Sequence, residues 1–271
     1  MESIDELQRE LAIIEKWEKD QRKIWFWERI GRLPFKLLDK LTPQFIHNKI
    51  GTLLEEIGVY IQSGGKYLVN KNKLYKVIET ETKMSIRTSS DVKGIPLYSM
   101  EKISKEVVAR RTRFAAFQGA TTGIGGIFTL AIDIPALLTV SLKTLQEISI
   151  IHGYDPDEKS ERVFIIKCLQ FSLADVVGKR AILNELSSFN YGRSRSDKLF
   201  SQIQGWREVV YTYREQFGWK KLFQMVPVAG VVFGAATNKA MMTNLSEACM
   251  MFYRKRVILE RLEKMKEVKE Y

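Results

Sequence analysis

The sequence predicts an all-α protein, a multi-helix bundle with two glycine-rich apolar helices at its centre. Three observations predict it. Apolar residues recur at helical spacing along most of the 271 residues, no run alternates with the period of two that a strand requires, and two apolar segments each carry a pair of glycines four residues apart, Gly119 with Gly123 and Gly230 with Gly234. Small residues at that spacing flatten one face of a helix and let two backbones approach closely, so these two segments are expected to pack on each other.

Residues 1–30 form the first expected helix, with Leu7, Leu11, Ile14, Trp17 and Ile24 near one face, a Trp25-Phe26-Trp27 cluster near its end, and Gly31 and Pro34 to stop it. Lys and Arg are frequent around its aromatics. Two readings follow: a solvated helix docked by its aromatics, or an interfacial anchor in which Trp17, Trp25 and Trp27 sit at headgroup depth. Residues 1–60 are set apart as a Trp-rich helical extension, and 61–271 as the main helical domain.

Helices are expected over 44–62 and 66–80, divided by Gln62-Ser63-Gly64-Gly65, with 81–97 a loop. Gly64-Gly65-Lys66 is no phosphate loop, because Tyr60 and Tyr67 stand where that motif needs Gly and Ser or Thr. Ser99 then caps a helix that brings Ile103, Val107, Phe114 and Phe117 together, while Arg110, Arg111 and Arg113 form a basic collar before an apolar run. Between Arg113 and Lys143 the only formal charge is Asp133. Asp133-Ile134-Pro135 reads as a turn in which the Asp133 carboxylate caps the amide of Ala136. Beyond it, Leu138, Leu142, Leu145 and Ile148 share one face and Lys143, Gln146 and Glu147 another, an amphipathic pattern whose polar side expects water or a partner.

Asp155-Pro156-Asp157-Glu158 has the form of a strong helix start, with a capping carboxylate and acids at the positive end of the dipole, for a helix running to about Ser188. A basic turn at 190–196, a helix over 197–217 and an aromatic segment with Trp219 and Phe223 follow. The last long helix carries Gly230, Gly234 and Asn238 on one face, then Leu245, Cys249 and Phe252.

Composition narrows the function. A net charge of +11 predicts attraction to polyanions, either an anionic membrane leaflet or nucleic acid. Two cysteines, Cys168 and Cys249, far apart in sequence, indicate neither a disulfide framework nor a zinc ribbon and suit a reducing cytoplasm. The acidic, polar start MESIDELQRE lacks the form of a signal peptide. With two histidines, His47 and His152, no catalytic triad or histidine-rich metal site is expected, and no cofactor. His152 reads as a buried, satisfied side chain, and Asp133 and Asp155 as caps rather than an acid/base pair.

The segment 114–132 has about the ~20 residues a bilayer span needs, but Gln118, Thr121, Thr122 and its glycines make it marginal. Buried core helices are the preferred reading and a membrane-inserted hairpin the alternative, in which Asp133 would be a functional group at membrane depth. If Asn238 faces Asp133 or Thr122, a small polar centre would lie within the bundle. The candidate packing or ligand centre is therefore Thr122, Gly123, Gly126, Asp133, Pro135, Gly230, Gly234 and Asn238.

Four spaced elements carry a family resemblance: Thr122-Gly123-Ile124-Gly125-Gly126, Asp133 to Thr139, Gly153-Tyr154-Asp155, and Pro227 to Asn238. Over residues 97–255 the chain resembles the EcsC family of bacterial proteins, named for the third member of a locus that also encodes an ABC transporter. The resemblance implies an EcsC-like helical domain in 61–271, a bacterial cell, and a link to membrane transport or secretion. It brings no catalytic residues. The expectation is a non-enzymatic protein peripheral to the inner face of the cell membrane, accessory to an ABC transporter or binding a lipid-like molecule. Two alternatives stand beside it: nucleic-acid binding through Arg110–Arg113, Arg193–Arg195 and Arg254–Arg256, and a hydrolase using Asp133.

Overall fold

The computed structural model describes residues 2–22, 55–65, 68–123, 130–174, 176–189 and 227–268, all helix, turn or coil with no strand among them. In chain order the helices are α1 (Ile4–Gln21), a helical run over 55–63, α2 (Lys71–Thr82), α3 (Ser89–Lys93), α4 (Leu97–Gly123), α5 (Leu130–Ile151), α6 (Lys159–Leu173), α7 (Val176–Phe189) and α8 (Pro227–Glu267). The all-α class holds.

The 41-residue α8 is the spine, lying most extensively against α4 and also packing on α1, α5 and α6. Its buried positions, Gly234, Asn238, Met242, Leu245, Cys249, Phe252 and Tyr253, recur every three or four residues and so face the neighbours along its length. On α4 the buried line is Ile103, Val107, Ala115 and Gly119. The two lines meet at Gly119. A Cβ there would overlap the carbonyl oxygen of Gly234 and lie 2.7 Å from Nδ2 of Asn238, so only glycine allows this approach.

Helix α1 starts at a complete capping box between Ser3 and Glu6. It is docked rather than free: Leu7 and Ile14 are buried, and Trp17 lies against Phe171 and Phe252 while its Nε1 donates to Glu247. Trp25 and Trp27 lie outside the described residues, as do His47, Gly126, the 190–196 turn and the expected 197–217 helix.

Several expectations are corrected. Residues 81–97 are not all loop, since Thr88 and Asp91 close a capping box that starts α3, and the following helix begins at Leu97 rather than at a Ser99 cap. The Asp133-Ile134-Pro135 turn is helix: α5 starts at Leu130 and Pro135 sits inside it. Pro135 removes one intrahelical donor, and the helix continues past it to Ile151. The polar side of α5 is covered as well, for Thr144, Gln146, Glu147 and Ser149 are all buried. Gln146 donates to the Leu142 carbonyl, and Glu147 is held by Arg111.

The Asp155 start is also displaced. Asp155 and Asp157 both accept from Nζ of Lys71, at 2.9 and 2.5 Å, and Asp155 Oδ1 also accepts from the Asp157 amide, but the N-cap position of α6 falls later, at Glu158, which makes no side-chain cap. Helix α6 starts at Lys159, and Arg162 reaches back to the Pro156 and Asp157 carbonyls and across to those of Ile61 and Gln62, tying the end of the 55–63 helix to this turn. The single helix expected to reach Ser188 is interrupted at Ala174, whose backbone is extended, giving α6 and α7.

Candidate functional site

The outer face of α4 departs from the expected core. Ile103 and Val107 are buried, but Phe114 and Phe117 are 54% and 69% exposed. They belong to the series Arg110, Arg113, Phe114, Phe117, whose spacings of three and four place all four on one helix face, and both arginines are exposed. Gly119 is two residues beyond Phe117, on the opposite side of the helix, so the packing of α4 on α8 is what turns the phenylalanines outward. A surface with two adjacent aromatics and two cations is amphipathic in the manner of an interfacial helix.

Beside this face, α2, α4 and α5 enclose an open groove of about 410 Å³. Leu68, Val69, Asn70, Lys73 and Val77 form one wall, and Arg110, Arg111, Lys143 and Glu147 the other. Arg111 grips Glu147 through Nε and Nη2, at 2.9 and 2.5 Å. That two-pronged hydrogen bond, acting against burial, raises the Arg111 pKa and fixes the guanidinium. Lys73, Arg110 and Lys143 have no carboxylate partner among the described residues, so the groove carries excess positive charge.

Of the candidate centre read from the sequence, Gly234 and Asn238 are brought together against Gly119. Thr122 sits on α4 with its hydroxyl donating to the Gln118 carbonyl, and Gly123 is the last described residue of that helix. The Pro135 carbonyl accepts from Thr139. Asp133 lies in α5 and Gly230 in α8, but the Asp133 side chain and the surroundings of Gly230 are outside what the structure describes. No group of three metal-ligating side chains occurs among the described residues.

A buried ionic centre was not legible from spacing. On α6, Glu161 accepts two bonds from Arg256 Nη1, at 2.9 and 3.1 Å, and another from the Tyr253 hydroxyl. The Arg256 guanidinium lies 3.8 Å from the centre of the Tyr154 ring and 4.3 Å from that of Phe164. Tyr154 donates to Glu260, which also takes Lys93 at 2.8 Å. His152 stacks on Tyr253 and its Nδ1 lies 2.7 Å from the Ile148 carbonyl, so that nitrogen carries the proton. Burial lowers its pKa from 6.5 to about 4.

The same geometry accounts for Gly153-Tyr154-Asp155. Gly153 has a φ of +81° and closes α5 with the paired bonds Gly153 N to Ile150 O and Tyr154 N to Ser149 O. A Cβ on Gly153 would also meet Lys93 and the Ser89 carbonyl. Tyr154 covers Arg256 and Asp155 takes Lys71.

Arg254, Lys255 and Arg256 are neutralised rather than displayed: Arg254 pairs with Glu10 and Glu101, Lys255 with Glu18, and Arg256 with Glu161. Arg193 and Arg195 are outside the described residues. Among the described residues no helix is long and apolar enough to cross a membrane.

Comparison with known proteins agrees with the motifs. Residues 8–258 match the EcsC protein family, a wider stretch than the 97–255 that carries the spaced motifs. An uncharacterized protein of Bacillus subtilis (strain 168), YdbA, is 55% identical over 260 residues, 96% of this chain and 95% of its own length. Protein EcsC of the same organism is 26% identical over 175 residues, 65% of this chain and 71% of its own. No solved structure matches the chain. The chain belongs to the EcsC family.

Proposed function

We propose that this is a peripheral membrane-binding protein, without an enzymatic role, that docks on an anionic bilayer through the outer face of α4. The observation that carries the reading is the exposure of Phe114 and Phe117 beside Arg110 and Arg113 on one face of a helix anchored from behind by Gly119. Aromatic rings enter the headgroup region while arginines meet lipid phosphates, and a net charge of +11 adds long-range attraction. Docking of this kind needs no transmembrane segment. A transporter partner, as the family resemblance implies, would be met at the same membrane face, and co-purification from cells tests that finer role.

Nucleic-acid binding is the weaker reading, because one of its three basic clusters is consumed in ion pairs with Glu10, Glu18, Glu101 and Glu161. A hydrolase using Asp133 draws no support from the described residues, which do not include the Asp133 side chain.

Sedimentation with vesicles tests the reading. The protein is expected to pellet with phosphatidylglycerol vesicles and not with pure phosphatidylcholine, and to be partly released as salt rises from about 0.1 M to about 1 M, where the screening length falls from ~10 to ~3 Å. The double variant Phe114→Ser/Phe117→Ser is expected to lose binding by about tenfold or more, since each fully buried aromatic contributes roughly 1.5–3 kcal/mol. Undiminished vesicle binding by that variant would overturn the α4 assignment.

A further inference from the structure

The groove between α2, α4 and α5 opens beside the face proposed to meet the bilayer, and Arg110 belongs to both. Its chemistry is split. Within one wall Arg111 and Glu147 form a neutral, fixed pair, leaving Lys73, Arg110 and Lys143 with no carboxylate among the described residues to balance them. With Nε and Nη2 of Arg111 engaged by Glu147, its Nη1 has no partner among the described residues and adds a donor held in place.

On the wall that carries Lys73, facing Arg110 and Lys143, Leu68 and Val77 are 37% and 41% exposed, with Val69 and Leu74 beside them in the groove. A purely electrostatic site gains nothing from that apolar wall, and a purely apolar one would not be rimmed by three cations. The volume of about 410 Å³ falls within the ~300–1,000 Å³ of sites that hold a small organic group.

We propose that this groove seats one anionic phospholipid, its headgroup phosphate among Lys73, Arg110 and Lys143 and the start of an acyl chain along Leu68 and Val77. The assignment rests on the membrane reading above for its source of lipid, but it is a separate contact. The α4 face binds a bilayer as a surface; the groove takes a single molecule from it. Lysine and arginine supply charge-assisted bonds to phosphate oxygens, and the apolar wall distinguishes a lipid from free phosphate.

The test uses dihexanoyl phosphatidylglycerol below its micelle-forming concentration, titrated into the full chain by calorimetry, with inorganic phosphate and dihexanoyl phosphatidylcholine as parallel probes. Saturable binding of the anionic lipid is expected, with both other probes weaker by about tenfold or more. Lys73→Gln/Lys143→Gln alters two side chains on the groove wall. It is expected to weaken lipid binding by about tenfold or more, because two cations that bond the phosphate are removed, without moving the thermal midpoint. Its vesicle binding is expected to fall by less than that of Phe114→Ser/Phe117→Ser, because the two lysines line the groove while the phenylalanines form the surface that meets the bilayer.

Phe114→Ser/Phe117→Ser is expected to do the reverse, keeping the monomeric lipid and losing vesicles. The groove assignment is overturned if monomeric lipid does not bind, if inorganic phosphate or the choline lipid binds as tightly, or if Lys73→Gln/Lys143→Gln leaves lipid binding unchanged. Failure of the α4 face instead shows as intact vesicle binding by the phenylalanine variant, so the two outcomes separate.

Discussion

At Gly119 the absence of a side chain decides how two helices meet. The Gly234 carbonyl that an alanine would strike is backbone inside a 41-residue helix and has little room to yield. Gly119→Ala is therefore expected to cost about 1–3 kcal/mol or more by overpacking. Gly58, helical and with nothing within 4 Å of an added Cβ, is the control: Gly58→Ala is expected to be neutral or to stabilise by up to ~1 kcal/mol. Urea unfolding of both variants measures the contrast. His152 gives a second residue-scale prediction. Burial, opposed by the Ile148 hydrogen bond and joined by Arg254, brings its pKa to about 4, so the folded state keeps the ring neutral where the unfolded chain binds a proton. Stability from the neutral ring is complete above about pH 6.5 and is lost as pH falls toward 4, with a decrease of about 2 kcal/mol between about pH 7.5 and about pH 5. His152→Phe should flatten that slope in urea titrations at the two pH values. The glycine spacing made the Gly119 contact legible, and the apolar face of α5 made the burial of His152 legible. Which carbonyl each would touch was not, because that depends on how far one helix slides along another.

Among the elements, expectations succeeded where the signal was local and failed where a distant residue competed for the same group. The positive-φ break at Gly64-Gly65 and the four leucine and isoleucine positions of α5 follow from neighbours in sequence. Asp155 holds the Asp157 amide locally but also binds Lys71, 84 residues away, and no reading of the Asp155 segment alone reveals that lysine. Phe114 and Phe117 were assigned to the core by hydrophobicity, yet helix geometry turns them outward once Gly119 faces α8. The Glu161–Arg256 pair linking α6 to α8 was hidden for a further reason, since a basic run such as Arg254–Arg256 reads as a solvated face until its carboxylates arrive from α1, α4 and α6. Removing one partner should be costly. Glu161→Ala takes from Arg256 the carboxylate that its Nη1 bonds and from the buried Tyr253 hydroxyl its acceptor, and is expected to lower stability by about 3–5 kcal/mol, read from the shift in the urea midpoint.

For the whole molecule, the net charge of +11 indicated a polyanion but not which one, and only the distribution of cations separates the cases. The described structure ties up the basic cluster of α8 and leaves Arg110 and Arg113 exposed next to Phe114 and Phe117 on one face of α4. That juxtaposition is the basis for proposing that the protein docks on a bilayer surface. The most direct measurement attaches an environment-sensitive fluorophore at Phe117→Cys, which is practicable because both native thiols, Cys168 and Cys249, are buried. A matching label at Glu106→Cys provides a second exposed position on α4, about three turns closer to its start. On phosphatidylglycerol vesicles the account predicts a blue shift and protection from an aqueous quencher at position 117, and a smaller change at position 106. Bound protein whose label at 117 stays fully water-exposed would contradict it.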